Sequence, residues 1–311
     1  MTTQNSAIVD KLLTDVSNKI MPDDYISEMI LPLINVKQTT GKLGNYGNSH
    51  LRIENTVTGG KNKFAQVNTR VYETQLYDIE EHGLKDTLTR KDFANVEQPF
   101  DAEVDTTDEL VTKLWLGKEK SLADTITDTS ILTQNTTLAG TDQYNDRQNS
   151  DPIGDFITAR ANIFSSVGKP PDTAVMSWEV FNTIRYHPNF LDSLGYKEAR
   201  PDGLTTQEVA RVMDVKRLLV GTAVFNDAKE NQPDNILPVW GKHIIFMVSP
   251  RTAAKRQISL GYRLQIFGTP RKVFKNSQIE PPESILIQVS DAYEQLISKA
   301  SAGYLIEDAI A

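Results

Sequence analysis

The sequence predicts an α+β fold class, built as a long polar hairpin, one long helix, a compact mixed region and a β-rich return. Three observations carry that prediction. Two alternating runs flank a glycine turn between residues 40 and 78. A broad apolar stripe at helical spacing covers Asp101 to Thr127. Short strands and helices then follow one another from Asp151 to about residue 262, before alternation takes over again.

The first element is weakly amphipathic. Ile8, Leu12, Leu13 and Val16 fall near helical spacing within Ser6–Lys19, and Pro22 and Pro32 punctuate the stretch that follows, so residues 1–36 read as an arm. The hairpin comes next. Leu51, Ile53 and Val57, then Val67 and Val71, share odd positions on either side of Thr58-Gly59-Gly60-Lys61-Asn62. Its faces carry mainly Asn, Thr, Lys and Glu. A polar two-stranded hairpin is marginal alone in water, so this one is expected to lie on another surface. In the long helix, Leu110, Val111, Leu114, Trp115, Leu122 and Ile126 form the stripe. Asp101, Glu103, Asp105, Asp108 and Glu109 load its first half with negative charge, which the helix dipole favours. Gly117 costs a helix about 1 kcal/mol relative to Ala and suggests a bend or a close contact.

Thr129–Ser150 reads as a polar loop. Beyond it, helices are expected over Ile153–Val167, Trp178–Tyr186 (ended by Pro188) and Thr205–Met213, the last with a Thr205-x-x-Glu208 capping box. Strands are expected at Thr173–Ser177, Arg217–Val220, Thr222–Phe225 and Ile244–Val248. Tyr262, Leu264 and Ile266 alternate, as do Ile285, Ile287 and Val289 beyond Pro281-Pro282.

Composition excludes several chemistries. The chain has no cysteine, which removes disulfides, thiolate nucleophiles and cysteine-held metals. A net charge of −8 argues against a protein whose purpose is to grip nucleic acid. No apolar run is long enough to cross a membrane, and no secretory signal is expected from the first ten residues. The four histidines, His50, His82, His187 and His243, are not spaced for zinc. Glu80-Glu81-His82 reads as a solvated rim rather than a metal or acid–base site, because adjacent strand residues point to opposite faces. His187, before Pro188, reads as a cap or a packed side chain. Gly41-x-x-Gly44-x-x-Gly47 has no following helix to bind phosphate and reads as a flexible loop base. No catalytic, cofactor-binding or metal site is expected. Two basic clusters remain, Arg251, Lys255 and Arg256, then Arg271, Lys272 and Lys275. They read as ion-pairing partners between subunits or as interior contacts to nucleic acid.

Four stretches add to this order: Met29 to Leu43, Glu80 to Asp86 running on to Gln98-Pro99-Phe100-Asp101, Val175 to Pro188, and Val239-Trp240-Gly241-Lys242 before an apolar strand. Together they resemble the tailed-phage major capsid protein of the Hong Kong type, also called the Johnson fold, over nearly the whole chain. The resemblance implies an N-terminal arm (1–39), an extended E-loop (40–78), a peripheral domain with a spine helix (79–150), an axial domain (151–262) and C-terminal strands of the peripheral domain (263–311). It implies a shell subunit and not an enzyme, acting in the virion and assembled in the host cytoplasm through hexamers and pentamers. Inter-subunit contacts are then expected at Gly59, Gly60, Lys61, Lys63 and Arg70. Spine-helix packing is expected at Leu110, Leu114, Trp115 and Leu122. Interior or inter-subunit contacts are expected at Arg251, Lys255 and Arg256. Some members cross-link a loop lysine, for which Lys42, Lys61 and Lys63 are the candidates here. Expected partners are further copies of the chain, a portal, a separate scaffolding or decoration protein, and packaged DNA held by weak non-specific contact, with no membrane. The axial domain begins too early for a long scaffolding segment ahead of it. The alternatives are an encapsulin-like compartment shell and, further off, an enzyme of unknown class.

Overall fold

The computed structural model describes residues 8–20, 24–45, 53, 73–89, 91, 101–195, 202–229, 231–254, 257–267, 271–278 and 284–311. The expected turn Thr58–Asn62 lies outside these residues, as do Gly59, Gly60, Lys61, Lys63, Arg70, Lys255 and Arg256. In chain order the strands are β1 (Ile8–Val9), β2 (Leu33–Val36), β3 (Thr40–Asn45), β4 (Glu73–Asp78), β5 (Glu80–Thr89), β6 (Asn135–Thr137), β7 (Thr173–Ser177) and β8 (Arg217–Gly221). They continue with β9 (Val224–Asn226), β10 (Ile236–Pro238), β11 (Ile244–Met247), β12 (Gly261–Ile266), β13 (Arg271–Gln278), β14 (Ser284–Ile297) and β15 (Gly303–Glu307). The helices are α1 (Lys11–Lys19), α2 (Ser27–Ile30), α3 (Ala102–Thr127), α4 (Pro152–Val167), α5 (Trp178–Ile184), α6 (Pro188–Ser193) and α7 (Thr206–Val212).

Two sheets organise the chain. One has the order β1-β13-β14-β12-β2, with β5 also paired to β14. The alternation predicted around Ile287 and Val289 buries both against α3, the expected long helix. The other sheet has the order β6-β15-β11-β7-β8 and is wrapped by α4 to α7 in the large core. The long helix starts where Asp101 caps it, its carboxylate accepting from the Glu103 N–H at 3.0 Å. It serves both cores. Leu110, Val111 and Trp115 pack with Leu13, Leu88, Val273, Ile287 and Val289, whereas Leu122, Ala123 and Ile126 pack into the large core.

Several expectations are corrected. The N-terminal segment is helical only from Lys11, because Ile8 and Val9 pair with β13 and Asp10 accepts from the Leu12 and Leu13 N–H groups. The described part of the arm is therefore folded onto the subunit. The supposed loop Thr129–Ser150 contributes β6, whose polar Asn-Thr-Thr hides the strand because its stability comes from main-chain pairing with β15. β15 itself, grouped by sequence with residues 263–311 of the peripheral domain, lies inside the five-stranded sheet. Its run Tyr304-Leu305-Ile306 is buried, as a strand with neighbours on both sides requires. Pro188 does not merely end a helix. It opens α6 at the first position, where a missing N–H costs nothing. Gly117 has no heavy atom within 4 Å of where a Cβ would sit, so no close contact explains it. Leu114 is only partly buried.

Candidate assembly surfaces

The base of the hairpin is built on the six-stranded sheet. β3 and β4 pair antiparallel from Thr40 opposite Asp78 to Asn45 opposite Glu73. Gln75 Nε2 donates to the Ile297 carbonyl at 2.8 Å, and the Asp78 N–H donates to Glu294 Oε2 at 2.8 Å. Leu43 and Tyr77 lean on a small cluster of Ile79, Tyr262 and Leu264. Gly41, expected in a flexible loop base, is instead a strand residue covered by the Tyr77 ring, whose hydroxyl lies 2.6 Å from an added Cβ. Leu76 and Lys42 stay exposed on this ribbon.

Between the two cores the long helix presents charge where its stripe would call for apolar side chains. Glu119 is fully buried. Its carboxylate accepts from the Ile26 N–H at 3.1 Å, the Ser27 N–H at 2.7 Å and Trp240 Nε1 at 2.7 Å. It thereby caps α2 from another element and ties that short helix to the compact unit. Lys118, one residue earlier and also buried, lies 3.1 Å from Glu28 and 3.7 Å from Asp291. Its ammonium sits over the rings of Tyr293 and Trp115, at 4.4 and 4.9 Å. Burial pulls the Lys118 amine below its ordinary range, partly opposed by Asp291. Arg263 pairs with Glu28, and Arg271 with Asp291 at 3.6 Å.

The two basic clusters have different fates. Arg271 is buried and donates to the Ser17 carbonyl at 2.7 Å, and Lys275 holds Glu103 at 2.5 Å. Both find their charge partners within the subunit, which corrects the expectation that they pair between subunits or reach nucleic acid. Arg251 is exposed. Among the histidines, His82 stacks on Tyr293 at 4.5 Å, while Glu80 and Glu81 are exposed. His187 caps α6 by accepting from the Asn189 N–H at 3.3 Å, and its Nε2 meets Ser150 Oγ at 3.1 Å. Among the described residues, no three metal-binding side chains converge.

The whole arrangement has counterparts. No family model matches the chain. The major capsid protein of Burkholderia phage BcepMu is 23% identical over 96% of both chains. A crystal structure of a phage-related protein from Bordetella bronchiseptica RB50 superposes with a TM-score of 0.73, at 24% identity over 98% of both chains. The capsid of cyanophage P-SCSP1u superposes at 0.60, with 9% identity, over 99% of this chain and 92% of the other. The chain has the Hong Kong-type phage capsid fold and is a homologue of phage major capsid proteins. An encapsulin from Synechococcus elongatus PCC 7942 shares the fold less closely, at a TM-score of 0.50, 11% identity and 97% of this chain covered.

In this capsid fold the residues that sequence reasoning missed are Glu28, Lys118, Glu119 and Asp291. One signal was legible. Lys118 and Glu119 fall three and four positions after Trp115 and before Leu122, on the apolar stripe itself, so a buried charged pair was implied.

Proposed function

We propose that the chain is the shell-building subunit of a tailed-phage head, assembling through hexamers and pentamers into an icosahedral container for double-stranded DNA. The observation that carries this reading is the end-to-end likeness to a phage major capsid protein, arm and hairpin base included. A hairpin whose described base is rooted on one sheet suits an element completed by a neighbouring copy. The phage reading is preferred to a compartment shell because the phage chains superpose more closely than the encapsulin. The net charge of −8 suits a wall that holds DNA without adhering to it. A portal and a separate scaffolding or decoration protein complete the expected assembly in the host cytoplasm. Electron microscopy and light scattering of the purified chain test the proposal. Closed particles or capsomer rings are expected. Monomers at every concentration and salt level tried would overturn it.

A further inference from the structure

A groove of about 890 Å³ opens between α2, β2, α7 and β8. It is cationic on an acidic protein. Arg211, Lys216 and Arg251 line it, are exposed, and have no hydrogen bond or ion pair through their side chains among the described residues. Arg217, deeper in, is spent on the carbonyls of Met29 and Ser249 and on the Thr173 hydroxyl. Two apolar side chains, Met29 and Leu33, stand exposed in the same groove.

The complement lies on the first turns of the long helix, which do not line the groove. Asp101, Asp105 and Asp108 fall at i, i+4 and i+7 on the long helix, all exposed. Their acidic neighbours are already occupied, Glu103 by Lys275 and Glu109 by Lys113. Asp105 and Asp108 make no side-chain hydrogen bond or ion pair among the described residues, while Asp101 caps the helix. These aspartates cannot neutralise the groove of their own subunit. The groove borders Glu28, which touches Lys118, and Asp108 and Asp101 precede Lys118 by ten and seventeen residues. At about 1.5 Å per residue that separation is roughly 15–25 Å. It exceeds the screening length of about 8 Å at physiological salt.

We propose that the groove receives the acidic face of the long helix, Asp101, Asp105 and Asp108, from a second copy of the chain. The proposal rests on the shell reading and deepens it by naming one contact. Groove and helix face are different patches, so the contact is heterologous, and its repetition gives a ring when the rotation between copies closes. A duplex would meet the same cations, but its phosphate backbone offers nothing to cover Met29 and Leu33, whereas the helix carries the half-buried Val104 next to Asp105 and one turn before Asp108.

Charge reversal tests this directly. Arg211→Glu, Lys216→Glu and Arg251→Glu in one chain should leave the folded subunit's melting temperature near the parent's and lower particle yield roughly tenfold or more. Asp105→Lys with Asp108→Lys should do the same. All five changes in one chain restore complementarity and should recover particles. An alanine set at the three groove positions guards against misfolding and should weaken assembly in the same direction. Particles at parental yield from either reversed set would overturn the proposal. So would parental yield with less encapsidated nucleic acid, which assigns the groove to DNA. Failure of the shell reading is separate, because the unaltered chain would then form no particles.

Discussion

At the scale of single residues, Glu119 ties the long helix to the start of α2 and to Trp240. It accepts three hydrogen bonds from two elements while fully buried. Glu119→Ala would strand three buried donors, each costing about 1–3 kcal/mol, so a loss of more than about 3 kcal/mol is expected in chemical denaturation. Glu119→Gln keeps one acceptor oxygen and should cost less. His187 sets an acid limit. Burial lowers its pKa below the ordinary 6.5, and Arg147 adds to the effect. Its Nδ1 accepts and its Nε2 faces a hydroxyl, which is the neutral form. His243 is lowered in the same direction by burial. For a group depressed in the folded state, the unfolded chain binds the proton more tightly. Stability is therefore full above about pH 6.5 and falls as pH drops through the lower folded values. Melting temperatures between pH 7.5 and 5 should show this fall, and His187→Gln should reduce its slope. An unchanged slope would show that His187 does not titrate in this way.

At the scale of elements, the long helix was the most legible feature, because a stripe and a dense acidic start mark a helix without any tertiary information. Its detail was not legible. Spacing alone cannot separate Leu122, which is fully buried, from Leu114, which sits at the edge of the second core. Leu122→Ala should cost about 2–5 kcal/mol and Leu114→Ala about 1–2 kcal/mol, measured by denaturant melts. Gly117→Ala should stabilise by up to about 1 kcal/mol, since the added methyl meets nothing and the helix gains propensity. That gain corresponds to a rise of about 1–3 °C in melting temperature. β6 and β1 escaped notice for the opposite reason. Short strands are specified by the partner's main chain, and neither Asn-Thr-Thr nor Ile-Val carries a period of its own.

At the scale of the whole molecule, the order of arm, hairpin, long helix and compact unit was readable because each has its own composition. The joining of the two cores was not readable. It depends on Glu28, Lys118, Glu119, Arg263, Arg271 and Asp291 meeting across separations of up to 235 residues, which no local pattern encodes. The hairpin provides the test at this scale. Removing residues 46–72 and joining Asn45 to Glu73 with a short glycine linker leaves β3, β4 and their anchors in place. The subunit should fold with a near-parental melting temperature, and closed shells should no longer form. Normal particles from this variant would show that the hairpin tip has no part in assembly.

The position of β15 has a consequence for the order of synthesis. β15 is made after every other strand of its sheet, yet it is laid between β6 and β11. On the ribosome the compact unit must therefore stay open until β15 emerges, and synthesis of the roughly 300 residues up to it takes about 15–60 s at typical elongation rates. A nascent chain that has not yet exposed β15 cannot close that unit, so its finished surfaces exist only on chains that already carry the strand. Chains cut short before β15 are thereby expected to lack a finished sheet by topology alone.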